Sequence, residues 1–162
     1  MGVQKLQANR ALRIIPSDNA LIPFPSLIEA GTNTSTAASQ LIDATAGDFI
    51  NLNVKAGDVV YNVTDGTAAT VVSVQSNSTL TLNANIFTAT AKSYAIYNNA
   101  PETTIGNTGC VLYVGGAGNI NVLTIGDDRV LFNAVPAGSF LPVQVKQVLS
   151  SLTTATLINA LW

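Results

Sequence analysis

The chain has 162 residues, enough for one domain or two small ones, and only 10% of them are charged, against about 25% in ordinary soluble domains. A formal net charge of −2 and a pI near 4.7 argue against nucleic-acid binding, which favours a basic face. The absence of histidine removes Ser-His-Asp and Cys-His catalysis and every His-ligated zinc site, and the single cysteine, Cys110, excludes an internal disulfide or a thiolate metal cage.

From the N-terminus, residues 2–11 carry a weak helical spacing, and residues 11–15 look extended. Lys5, Arg10 and Arg13 place three of the seven basic residues in this first stretch. Pro16, Pro23 and Pro25 then forbid a helix and impose extended or turn geometry. The segment 1–25 therefore reads as an extended N-terminal arm. Ile15, Leu21 and Phe24 are apolar contacts on it, and Lys5, Arg10 and Arg13 are cations suited to an acidic partner surface. Prolines lower the entropy such an arm loses on docking.

Residues 32–39 are small and polar and read as a linker. Alternating runs at 49–54, 58–62, 69–74, 79–83 and 93–97 follow, separated by turn signals. Among these, Thr64-Asp-Gly-Thr67 suits a tight hairpin, because Asp and Gly tolerate positive φ. Five short strands over 40–98 suggest a small barrel-like module. Residues 98–109 are again linker-like. Strands resume at 110–114, 119–125, 129–133, 141–149 and 154–161, with Gly115-Gly-Ala-Gly118, Gly126-Asp-Asp128 and Val135-Pro-Ala-Gly138 as turns. The last apolar run ends on Leu161 and Trp162, and an end of that kind is expected to dock, as a closing strand or against a neighbour.

These late motifs resemble a known family. The run Leu112-Tyr-Val-Gly115, Gly118-Asn-Ile120, Val130-x-Phe132, Val135-Pro-Ala-Gly138, Leu141-Pro-Val-x-Val145, Thr153-Thr-Ala-Thr156 and Ala160-Leu-Trp162 is similar to small phage virion proteins. That family includes the head-spike base proteins of phage-like gene transfer agents. Ile15-Pro-Ser-Asp18 followed by Leu21-Ile-Pro23 resembles the family's opening segment. In the simplest members this segment leads quickly into the Leu-Tyr-Val-Gly strand, whereas here about eighty residues intervene, which implies an insertion. The intervening residues Gly57-Asp-Val-Val-Tyr61, Thr70-Val-Val-Ser-Val74, Leu80-Thr-Leu82 and Tyr94-Ala-Ile-Tyr97 resemble a module recurring in phage structural proteins.

The expected fold is all-β, with two small antiparallel modules. Residues 1–25 are the arm and first segment of an outer, sandwich or jelly-roll-like domain completed by 108–162, and 40–98 form the insertion. The resemblance implies a virion structural protein at the capsid surface. It would be a cement, decoration or vertex protein bracing the major capsid protein, and not an enzyme. Tail, baseplate or fibre-base membership and a carbohydrate-binding attachment module remain the alternatives. A homo-oligomer is expected, a trimer at three-fold junctions or a pentamer at vertices, with the arm and Leu161 and Trp162 as partner-binding sites.

No catalytic, cofactor or metal site is expected. The acidic residues mostly sit at turns, where Asp has a plain structural role. Asp127-Asp128 favours a turn over a calcium site, since adjacent residues in a hairpin rarely supply 6–8 oxygens. Gly115-Gly-Ala-Gly118 lacks the Lys-Ser/Thr and the following helix of a phosphate loop. No stretch approaches the ~18–20 apolar residues of a membrane span, and the N-terminus lacks a signal peptide's apolar core. The N-x-Ser/Thr triplets at Asn33, Asn62 and Asn77 are read as chance matches.

Overall fold

The computed structural model describes residues 8–45, 47–99 and 109–162, and across them all but one of the alternating runs become strands, with no helix. In chain order these are β1 (Ala11–Arg13), β2 (Leu27–Thr32), β3 (Gln40–Ile42), β4 (Val59–Asn62), β5 (Thr67–Ser76) and β6 (Thr79–Leu82). The remainder are β7 (Ser93–Tyr97), β8 (Cys110–Gly116), β9 (Gly118–Thr124), β10 (Arg129–Val135), β11 (Ser139–Leu149) and β12 (Thr156–Leu161). The chain divides into two units, Met1–Ile14 with Asn107–Trp162, and Ile15–Gly106. The second unit thus begins directly after β1. Residues 15–25, expected in the outer domain, belong to the middle one. The helix expected over 2–11 falls largely outside the described residues, and Ala11 itself opens β1.

The outer unit is one six-stranded antiparallel sheet in the order β1-β12-β8-β11-β9-β10. Period-two alternation puts Cys110, Leu112 and Val114 of β8 on one face, where Leu112 lies opposite Ala160 and Val114 opposite Ile158. Ile120 and Val122 of β9 and Val148 of β11 extend this core, with Val148 opposite Val122. Fully burying such aliphatic side chains stabilises by about 1.5–3 kcal/mol each. The segment between β11 and β12 folds back onto the start of β9, where the Thr154 and Ala155 N–H groups donate to the Asn119 carbonyl at 2.9 and 3.1 Å. Gly118 permits this approach, because a Cβ there would lie 2.4 Å from the Ala155 nitrogen.

The middle unit is a second six-stranded antiparallel sheet, ordered β2-β7-β4-β5-β6-β3. Its core is Leu41, Phe49, Val60, Val71, Leu80, Phe87, Tyr94 and Ile96, with the edge of Tyr94 against Phe49. The hairpin expected at Thr64-Asp-Gly-Thr67 joins β4 to β5. Gly66 has φ 67°, and the Asn62 side chain accepts from the Asp65 N–H. A single bridge from Ser35 to Ile42 reaches β3 from the chain beyond β2, and no ladder extends it. The fold class is therefore all-β as expected, and neither six-stranded sheet closes into the barrel expected of the middle module.

Two local expectations are corrected. Residues 49–54 form a tight turn rather than a strand. The N–H groups of Leu52, Asn53 and Val54 donate to Asp48, Ile50 and Phe49, and Asn53 has φ 60°. Phe49 and Val54 both point into the core while the residues between them are exposed, so the apparent alternation is that of a protruding loop. The linker expected at 32–39 is instead tied down by Asn33, which is buried. Its side chain donates to the Ser35 and Ala89 carbonyls and accepts from the Lys92 N–H.

Candidate interaction surfaces

Of the residues expected to bind a partner, the structure joins the N-terminal cations to the C-terminus. β1 adds to the sheet edge along β12, with Ala11 opposite Leu161 and Arg13 opposite Asn159. The Trp162 N–H donates to the Arg10 carbonyl at 3.0 Å, and the Trp162 carbonyl accepts from the Asn9 N–H at 2.8 Å. Leu161 and Trp162 are half-buried in this ladder, so the apolar terminus docks as an inner strand of its own unit. Arg10 and Arg13 remain exposed at the edge. Lys5 lies outside the described residues.

Ile15, Leu21 and Phe24 fall in the other unit and are half-buried there. Their segment is bonded to its own chain. Ser17 donates to the Ala68 carbonyl, Thr70 and Asn83 side chains donate to the Asn19 carbonyl, and the Phe24 N–H donates to the Asn98 carbonyl. Ala20 and Ile22 are buried. Over residues 15–24 the expected free arm is thus a strap on the middle unit. Of the expected cations, Arg10 and Arg13 lie exposed at the β1 edge.

Strand register creates a surface that spacing alone does not reveal. Arg13 is opposite Asn159, Asn159 opposite Tyr113, and Tyr113 opposite Phe140. Directly opposed residues share a sheet face, so these four form one row across β1, β12, β8 and β11. Their face is the one opposite the core, and it also carries Ala11, Leu161 and Val111. Phe140 is 63% exposed and its ring lies 5.1 Å from that of Tyr113, tilted by 57°. An aromatic pair at one end of the row, with an amide and a guanidinium beyond it, can grip an apolar partner while the polar end fixes orientation.

The chemically reactive groups are engaged in structure. Asp43, almost fully buried, accepts from the Tyr94 hydroxyl at 2.9 Å and from the N–H and hydroxyl of Thr45. Burial pushes the Tyr94 hydroxyl far above its ordinary range, with Asp43 and Glu29 adding to the shift. Glu29 is raised by desolvation first, then by the charges of Asp43 and Asp48, and its Oε2 has no hydrogen-bond partner among the described residues. Among the described residues no group of three or more His, Cys, Asp or Glu side chains is placed to hold a metal ion. Asp127 pairs with Lys146 and has φ 68° in the β9–β10 turn, while Asp128 receives the Thr124 hydroxyl oxygen as acceptor for its N–H. Asn33 and Asn62, two of the triplet asparagines, are buried and hydrogen-bonded internally.

Comparison with protein-family profiles, curated proteins and solved structures finds no match to this chain.

Proposed function

We propose that this chain is a bacteriophage virion structural protein. In this reading it is a cement, decoration or vertex protein that sits on the capsid surface and braces the major capsid protein. The observation that carries the reading is the row Arg13, Asn159, Tyr113 and Phe140, a partly exposed sheet face that ends on an aromatic pair, in a chain of only 10% charged residues. Low charge suits surfaces that are buried against other subunits, because desolvating charges costs free energy. The motif resemblance to phage virion proteins points the same way. The action is binding rather than catalysis. Many copies on a symmetric lattice convert modest contacts into avidity, and a homo-oligomer, trimeric at three-fold junctions or pentameric at vertices, multiplies them.

Co-sedimentation of the purified chain with shells of its major capsid protein tests this. The wild type is expected to pellet with shells at saturable stoichiometry. Phe140→Ala is expected to weaken binding at least about tenfold, the scale of a truncated aromatic anchor. Arg13→Glu is expected to weaken it further at low salt than at high salt. Binding to tail or baseplate preparations with shells left bare would move the protein to the alternative location. The exposed Tyr113–Phe140 pair beside Asn159 also favours a second reading, a sugar platform for host attachment. Glycan-array binding that Phe140→Ala abolishes, without shell binding, would select it.

A further inference from the structure

β10 ends the outer sheet and is built unlike an edge. Among the described residues its one ladder is to β9, yet Val130, Leu131 and Phe132 form an unbroken apolar run. Val130 and Phe132 lie beside fully buried Val122 and Ile120 on the core face, and Leu131 lies on the opposite face beside Asn121. Val130 is nevertheless 36% exposed and Leu131 37%. Continuous apolar runs belong to strands covered on both faces, and a bare apolar edge is a pairing template.

The backbone fixes how that edge can pair. The Thr124 N–H donates to the Asp128 carbonyl, and the ladder continues with Val130 opposite Val122 and Phe132 opposite Ile120. Antiparallel bonding alternates every second residue, so Val130 and Phe132 bond inward to β9. Arg129 and Leu131 therefore turn their N–H and C=O groups outward, and Asn133 stands where the regular ladder ends. The outward sequence Arg129-Val-Leu-Phe-Asn133 is polar, three apolar, polar, and reads with the same pattern in both directions about Leu131.

We propose that β10 pairs antiparallel with β10 of a second copy of this chain, about a two-fold axis at Leu131. In that register Leu131 faces its own copy, Val130 faces Phe132, and Arg129 faces Asn133. The paired residues with outward backbone groups are those the antiparallel pattern requires. Core faces continue on one side of a twelve-stranded sheet, and each Val–Phe pair is a favourable aromatic–β-branched contact. The pairing stops itself. The β10 register breaks after Phe132 and Ala134 has φ 51°, so the regular edge ends there. An isologous contact also closes at two copies and cannot grow into a fibre. The proposal stands independently of any capsid partner, since its test contains none.

Light scattering of the full chain at micromolar concentration is expected to give an even number of copies, two for the β10 pair alone and six or ten where a trimer or pentamer also forms, and an odd number overturns the pairing. Leu131→Pro removes the outward N–H, a change an edge strand tolerates, and Leu131→Lys places two cations on the axis. Either is expected to halve the mass while preserving the β circular dichroism spectrum. Leu131→Cys is expected to form a disulfide-linked dimer on oxidation, and Phe140→Cys, at a more exposed position, is not. A monomeric wild type overturns the pairing, whether its Leu131 amide exchanges freely or is protected by another segment of the same chain. An oligomer whose mass Leu131→Lys leaves unchanged overturns it as well.

Discussion

Glu29 shows how one half-buried carboxyl contributes to the pH response of the middle unit. Its carboxyl is raised above the ordinary 4.5 by desolvation, then by Asp43 and Asp48, and an opposing hydrogen bond from the Asp48 backbone does not cancel this. A carboxyl raised in the folded state favours folding in its protonated form. Relative to a neutral side chain it costs stability once pH exceeds the folded value, and that cost vanishes below the unfolded value. Glu29→Gln keeps the acceptor and removes the charge. It is expected to raise the melting temperature at pH 7, with the gain shrinking to nothing below about pH 4. A gain that is flat across pH would place the effect in packing instead. Cys110 offers a second residue-level check. Burial pushes its thiol up to about 12, and its Sγ contacts the Val145 carbonyl at 3.5 Å. It is expected to resist a thiol reagent at pH 8 in the native protein and to react fully in denaturant. Rapid native labelling would mean that β8 opens readily.

At the scale of elements, legibility followed locality. The alternation of β8, β9, β11 and β12 was readable because each strand buries one face, and the β4–β5 hairpin because Asp65 and Gly66 are chemically matched to their turn. Residues 49–54 misled because period two cannot distinguish a strand from a loop that anchors both ends, Phe49 and Val54, in the core. β2 stayed hidden because Leu27-Ile-Glu-Ala-Gly-Thr32 lacks clean alternation, and β3 because three residues give no period. The row from Arg13 to Phe140 depends on the register of four strands distant in sequence, which no local pattern encodes. Asn33 is the same case in the middle unit, since its partners Ala89 and Lys92 lie far along the chain. Asn33→Ala leaves the partly buried Lys92 N–H and Ala89 carbonyl without the Asn33 side chain. It is expected to destabilise by about 1–3 kcal/mol, read as a lower midpoint in urea. An unchanged midpoint would show that water replaces those bonds at no cost.

At the scale of the whole molecule, two small open sheets of low charge leave large apolar side chains exposed. In the outer unit these include Phe140 beside Tyr113 and Val130 and Leu131 along β10, while Arg10 and Arg13 lie exposed at the β1 edge. Residues 15–24 serve the middle unit as a strap, so the partner-binding role proposed for the arm rests on Arg10, Arg13 and the residues before them. Binding to a repeating shell is the function these features support together. The most direct measurement is a density map of purified virions at a resolution that separates strands. The account predicts two six-stranded sheets on the outer capsid surface, with Tyr113 and Phe140 against the major capsid protein. A shell whose outer density contains neither sheet, in particles shown by mass spectrometry to contain the chain, would contradict it.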